Sequence, residues 1–559
     1  MRKGLLIYLL VLTTPFVLLF GQQSKPKLVV LIVVDQMRAD YLDRFDDLYS
    51  DGGFKRLSSH GAVMKNCNFL HSMTNTGPGH STLFSGIPLR VSGIVSNAWY
   101  SVPLGRSVYC VEDGSVSGVG VDTSEVNGKM SPRNFNGTSL CDELLKVSPS
   151  SRAVGIAIKD RGAILPAGKH PTGAFWFDAG SGNWITSTYY MKSLPAWVAA
   201  FNARHLPEQS LGTSWEKMLP EKDYVRAGID DQPGEGSIPG ETRRTFPHRI
   251  SDLATPGFKN RFRRFDAFAT SPFGNVMTAE FAKAAIEGEQ LGQRGVTDIL
   301  TVSFSSPDYC GHIFGPDSHE IEDMYVRLDG VLEDFLKFLD VKVGLSNVDI
   351  ALTGDHGIPP IPEKIPQTGA RRINGGDLLN LLKVRMGQRY NYDEGNDRLI
   401  LALSNDQIYV DHTAIAAKGF IEQEFIEAIA ELLRGQKYVA HAFTRSEIER
   451  AACVGTTDPI LSSVVQTFDG RRCGDIAIIL TPYSYFSSLT TGVNHGTPYE
   501  YDTHVPLVLV GPKIKAGVYA DSCAPNDIAP TFAAILGIHA PEYTIGKPLD
   551  ELLEAEPSK

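Results

Sequence analysis

Four stretches of this chain constrain its fold more than any others: "KLVVLIVVDQMR", "VTDILTVSFSSPDYCGHIFG", "VDIALTGDHG" and "HVPLVLVGPKI". Each is a short, continuous β-branched run, the pattern of a strand buried on both faces in a parallel sheet. Amphipathic helical patterns such as "EDMYVRLDGVLEDFLKFL" and "QEFIEAIAELLRG" lie between them. Strands alternating with helices predict an α/β fold. In such a sheet, ligands bind beyond the carboxyl ends of the strands. Asp35 ends the first run, Asp308 and His312 follow the second, and Asp355, His356 and Gly357 follow the third. His495 lies just ahead of the fourth.

These endings bear on domain count. A chain of 559 residues suggests three or four domains by length alone. If residues 35 to 495 build one site, however, the body is a single discontinuous domain spanning 22–559, with insertions at about 165–270 and 385–475. A basic start, an apolar run from Gly4 to Phe20 broken by Pro15, and Gly21 ahead of a polar stretch predict a signal peptide over 1–21. The mature protein is then exported, periplasmic or secreted, with no stable membrane insertion. A net charge of −11 without a long basic run argues against a nucleic-acid partner. Seven scattered cysteines permit up to three disulfides in an exported chain and form no CxxC pair.

Each strand-end residue alone has an ordinary explanation as a turn former or cap. Together, Asp35, Asp308 and Asp355 with His312, His356 and His495 are enough for two metal ions with three ligands each. Mixed Asp/His sets with open positions favour zinc. The stretch "TNTGPGHS" places Thr76 at or next to a helix N-cap, with Pro78 in the first turn. Thr76 reads either as a cap or as a nucleophile activated by a bound cation. His80 reads as a helix-face residue supporting this loop.

The chain resembles the alkaline phosphatase superfamily along nearly its whole mature length, and within it the PafA-type bacterial phosphate-monoester hydrolases. The resemblance rests on "VVLIVVDQMRADYL", "TNTGPGHSTLFSG", "GIVSNAWY", "IKDRGAI", "SSPDYCGHIFGP", "TGDHG", "NHGTPYEYDTHVPLVL" and "NDIAPTFAAILGI", in that order. It implies a three-layer sandwich with a largely parallel central sheet and inserted cap segments. It implies that Asp35, Asp355 and His356 hold one zinc, which also takes the Thr76 oxygen, and that Asp308, His312 and His495 hold a second. It further implies that Thr76 forms a phosphothreonine, while Asn97, Lys159 and Arg161 bind the phosphate oxygens. The expected substrates are small phosphate monoesters, and the expected state is a monomer. Two alternatives stand beside this reading: a phosphodiesterase or nucleotide pyrophosphatase of the same superfamily, and a non-catalytic zinc-stabilised binding protein.

Overall fold

A computed structural model describes residues 25–123, 125–255, 257 and 261–554, so the expected leader lies outside the described residues. The body is built on β1 (Leu28–Val34), β2 (Ala62–Cys67), β3 (Gly118–Val119), β4 (Ala153–Ala157), β5 (Gly173–Asp178), β6 (Asn183–Ser187), β7 (Asp298–Phe304) and β8 (Val348–Thr353). A four-stranded antiparallel sheet follows: β9 (Ile400–Ser404), β10 (Gln407–Val410), β11 (Val439–Thr444) and β12 (Ile476–Leu480). The chain then returns to the body for β13 (Leu507–Val510) and β14 (Gly517–Cys523).

The central sheet has ten strands in the order β14-β2-β13-β8-β1-β7-β4-β5-β6-β3. Its middle five, β8-β1-β7-β4-β5, are all parallel. Strand β1 shows why the sheet is sandwiched. All seven of its residues are buried, and alternate side chains enter two different cores. Leu28, Val30, Ile32 and Val34 meet one core, Val29, Leu31 and Val33 the other, because successive side chains point to opposite faces. Burying each aliphatic chain is worth about 1.5–3 kcal/mol before ordering costs.

Helices α1 (Thr76–Leu83), α2 (Leu140–Val147) and α3 (Asp160–Ala167) pack early in the chain. Helices α4 (Pro272–Gly288), α5 (Ser306–Phe314) and α6 (His319–Lys342) follow, and α7 (Ile528–Leu536) comes last. One face is covered by α4 and α6, which supply Phe281, Ile286, Leu328 and Phe335. The other is covered by α2 and α7, which supply Leu144, Ile528 and Phe532. The fold is therefore the expected three-layer α/β sandwich.

Within the range 165–270, β5 and β6 are strands of the central sheet, and the excursion beyond them begins after Ser187. The later excursion has its own core around Leu382, Ile408, Phe425, Ile429 and Ile478. It meets the body at the hairpin Ala98–Tyr109: Asn405 donates from Nδ2 to the Ala98 carbonyl, and the Arg472 guanidinium sits 4.7 Å from the Trp99 ring centre. All seven cysteines are free thiols, and only Cys453 is exposed. Among the described residues, no helix is long and apolar enough to cross a membrane.

Candidate active site

Four adjacent parallel strands each release one charged residue at their carboxyl end. Strand β8 leads to Asp355, β1 to Asp35, β7 to Asp308 in the first turn of α5, and β4 to Lys159. All four are at least 95% buried, Lys159 being the most exposed at 5%. The Lys159 ammonium stands 2.8 Å from Asp35 Oδ2 and also pairs with Asp308 Oδ2. Burial works against its charge, but Asp308 and Asp35 outweigh this and raise its pKa. Burial, then the neighbouring Asp355 carboxylate, raises the pKa of Asp35. Three carboxylates converging in a water-poor site demand compensating positive charge.

The three histidines share one hydrogen-bonding arrangement. His312 donates from Nδ1 to the Val493 carbonyl (2.8 Å), His356 to the Gly357 carbonyl (3.0 Å) and His495 to the Thr74 carbonyl (2.8 Å). A carbonyl can only accept, so each Nδ1 carries hydrogen and a neutral ring keeps its lone pair on Nε2. For His356, burial pushes the pKa down to about 3, and burial also lowers that of His495. His356 Nε2 lies 3.5 Å from both Asp35 Oδ1 and Asp355 Oδ2, with no hydrogen-bond partner of its own.

Two trios bring donor atoms close enough to share an ion: Asp35, Asp355 and His356, and Asp308, His356 and His495. His312 stands at the edge of the second, its Nε2 3.3 Å from Asp308 Oδ1 and its ring 4.9 Å from that of His495. The orphaned Nε2 of His356 and Oδ1 of Asp35 are what a divalent cation would satisfy, so the donor set fits a metal centre.

Thr76 is the first residue of α1, with Asn75 in the cap position. Its hydroxyl accepts from Lys159 Nζ and from Arg161 Nη2, each at 3.3 Å. The "TGPG" glycines make this placement fit. Gly77 N donates to Asn97 Oδ1 at 2.7 Å, and a Cβ on Gly79 would fall 2.1 Å from the Asp355 carbonyl oxygen. Helix α1 therefore lies with its backbone against the end of β8. With its carbonyl oxygen committed to Gly77, Asn97 can still offer its NH2. His80 gives Nδ1–H to the Thr76 carbonyl and lies 3.1 Å from Asp355 Oδ2, while Nε2 pairs with Ser303.

Several contributors carried no signal in the residue pattern. Tyr109 OH accepts from Arg161 Nη1 at 2.8 Å and donates to Asp160, fixing the guanidinium while Arg161 Nε stays buried without a partner. Asp502 takes three hydrogen bonds from the segment after His495: from Gly496 N (3.0 Å), Thr497 N (2.9 Å) and Thr497 Oγ1 (2.7 Å). Gly236, in the first excursion, donates its N–H to the Ile313 carbonyl beside His312, at 2.9 Å.

The model of the type I phosphodiesterase / nucleotide pyrophosphatase family matches residues 29–499. The chain belongs to this family, within the alkaline phosphatase superfamily. Alkaline phosphatase PafA of Elizabethkingia meningoseptica is 38% identical over 531 residues, 95% of either chain. Alkaline phosphatase PhoV of Synechococcus elongatus is 38% identical over 532 residues, 95% of this chain and 94% of that one. The crystal structure of wild-type PafA matches with a TM-score of 0.88 at 37% identity, covering 95% of this chain and 99% of that one. A variant of PafA, also solved, is substituted at a threonine, an asparagine, a lysine and an arginine. Family member that it is, this chain carries Thr76, Asn97, Lys159 and Arg161 in the same order and spacing.

Proposed function

We propose that this enzyme is an exported alkaline phosphatase that hydrolyses small phosphate monoesters through a phosphothreonine on Thr76. The observation that carries this reading is the placement of Thr76 Oγ1 at a helix N-terminus, 3.3 Å from both Lys159 Nζ and Arg161 Nη2, beside two Asp/His trios. Asp35, Asp355 and His356 would hold one zinc ion, together with the Thr76 oxygen. Asp308, His312 and His495 would hold the other. When bound, the two cations supply a lowered pKa for a coordinated oxygen and compensation for charge on the leaving oxygen.

In the first step Thr76 Oγ1 forms a bond to phosphorus as the ester P–O bond breaks. The alcohol leaves with a proton, and the threonine hydroxyl has lost one. Water then cleaves the Oγ1–P bond, returning the hydroxyl and releasing inorganic phosphate. Asn97 donates to a non-bridging oxygen, and Arg161 offers Nη2 together with its buried, unpartnered Nε.

The same charges favour a monoester. Its dianion carries one more negative charge than a diester, and a cation about 4 Å away makes that worth about 1–4 kcal/mol at effective dielectrics of 80 down to 20. The similarity to PafA and PhoV supports this choice over the diesterase alternative.

The test is kcat/KM for an aryl phosphate and for the corresponding methyl aryl diester, with and without a chelator. Chelator-sensitive turnover favouring the monoester by at least about fivefold is expected. A preference for the diester would overturn the substrate class.

A further inference from the structure

Gln36 directly follows Asp35 and is 97% buried, with 3% of its surface exposed. Its backbone is left-handed, with φ at 66°, a conformation that costs a side-chain-bearing residue strain. This turn aims its two hydrogen-bonding arms at different carboxylates. The backbone N–H donates to Asp355 Oδ1 at 3.0 Å, and the side-chain Nε2 donates to Asp308 Oδ1 at 2.9 Å. Asp355 belongs to one metal trio and Asp308 to the other. The carboxamide is accommodated because α5 carries no side chain opposite it. A Cβ on Gly311 would fall 1.8 Å from Gln36 Oε1. Gly311 sits between Asp308 and His312 on that helix.

We infer that Gln36 is a positioning residue that ties the two metal clusters together, its carboxamide orienting Asp308 and its main chain orienting Asp355. The inference rests on the two-ion reading above. A hydrogen bond to one oxygen of a ligating carboxylate fixes which lone pairs face the ion, and losing such a partner typically weakens metal binding by roughly 10- to 100-fold. The strained backbone indicates that the carboxamide's position is maintained at a cost, as at other functional sites.

Glycine separates the two arms. Gln36→Gly keeps the N–H and suits a left-handed backbone, while removing only the carboxamide. The experiment titrates zinc from the holoenzyme with a competing chelator and counts released ions, for wild type, Gln36→Gly, Asp308→Ala and the double variant. Wild type is expected to release two ions per chain. Gln36→Gly is expected to weaken one ion by roughly 10- to 100-fold and leave the other unchanged. In the Asp308→Ala background, Gln36→Gly should then add nothing, the signature of two residues acting on one site. Equal weakening of both ions, no weakening, or a further loss in the double variant would overturn the inference. Wild type binding fewer than two ions would overturn the two-ion reading, and this inference with it.

Discussion

The two candidate metal clusters differ in how they are made. The trio of Asp35, Asp355 and His356 comes from the ends of two neighbouring parallel strands, and all three residues are 0% exposed. The second cluster is assembled from less regular parts. Asp308 comes from a helix, His312 has a side chain 34% exposed, and His495 sits on a loop whose course depends on Asp502. Its outer wall includes Gly236, which belongs to an excursion from the sheet. A sheet end positions ligands through the hydrogen-bonded ladder of the whole core. A loop positions them through a few side chains, each of which can be lost singly.

Thr76 is the nucleophile of the proposed mechanism, its hydroxyl 3.3 Å from both Lys159 and Arg161, so its removal gives the largest effect and the sharpest control. Thr76→Ala should lower turnover at least about 10³-fold while both ions remain bound, as measured by single-turnover assay and metal analysis. Loss of an ion along with activity would show that the threonine oxygen holds a cluster together. Asp502→Ala tests the contrast directly. With the Gly496 and Thr497 contacts gone, the ion beside His495 should weaken by roughly 10- to 100-fold and the strand-built site should hold its ion. Equal weakening of both would erase the distinction.

The smallest effect concerns the excursion behind His312. His248 bridges Glu241 Oε2 (3.1 Å) and Glu320 Oε1 (3.0 Å), joining that excursion to α6. Burial opposes its charge, yet the two carboxylates outweigh it and lift its pKa from 6.5 to about 9. A folded pKa above the unfolded one means the folded state holds the proton more tightly. The contribution is therefore complete below about pH 6.5 and disappears as pH rises through about 9. Burial also raises Glu320 to about 7, an earlier titration with the same sign. Melting temperature should fall by a few degrees between about pH 7 and 10, and His248→Gln should flatten that profile.

The asymmetry between the halves also governs what the sequence discloses. Asp35 and Asp355 follow unbroken apolar runs, so the strand pattern also marks where these carboxylates come together. The same logic reaches Asp308, since "DILTVSF" is a strand before the helix begins. Lys159 follows only "AVGIA", a short strand with a glycine, and was legible through family resemblance alone. Gln36 looks like an ordinary polar residue after a strand, because nothing in its identity announces a left-handed backbone. Tyr109 acts through a hydroxyl contact that becomes local only after folding, whereas Asp502 reaches residues five and six positions away, by a contact its residue type does not announce. For Tyr109 the separation is 52 residues from Arg161. The passage of β5 and β6 through the central sheet, inside the range expected as an insertion, is not legible in residue pattern. Sheet membership depends on long-range pairing that residue type does not encode.

The cap around β9–β12 folds about its own apolar centre and reaches the body at Ala98, the residue after Asn97. This separates two kinds of inheritance. Drift among cap residues can reshape what approaches Asn97 without disturbing the buried carboxylates and imidazole at the strand ends. The two parts are separately packed, so a change inside the cap core leaves the packing behind the strand ends as it is.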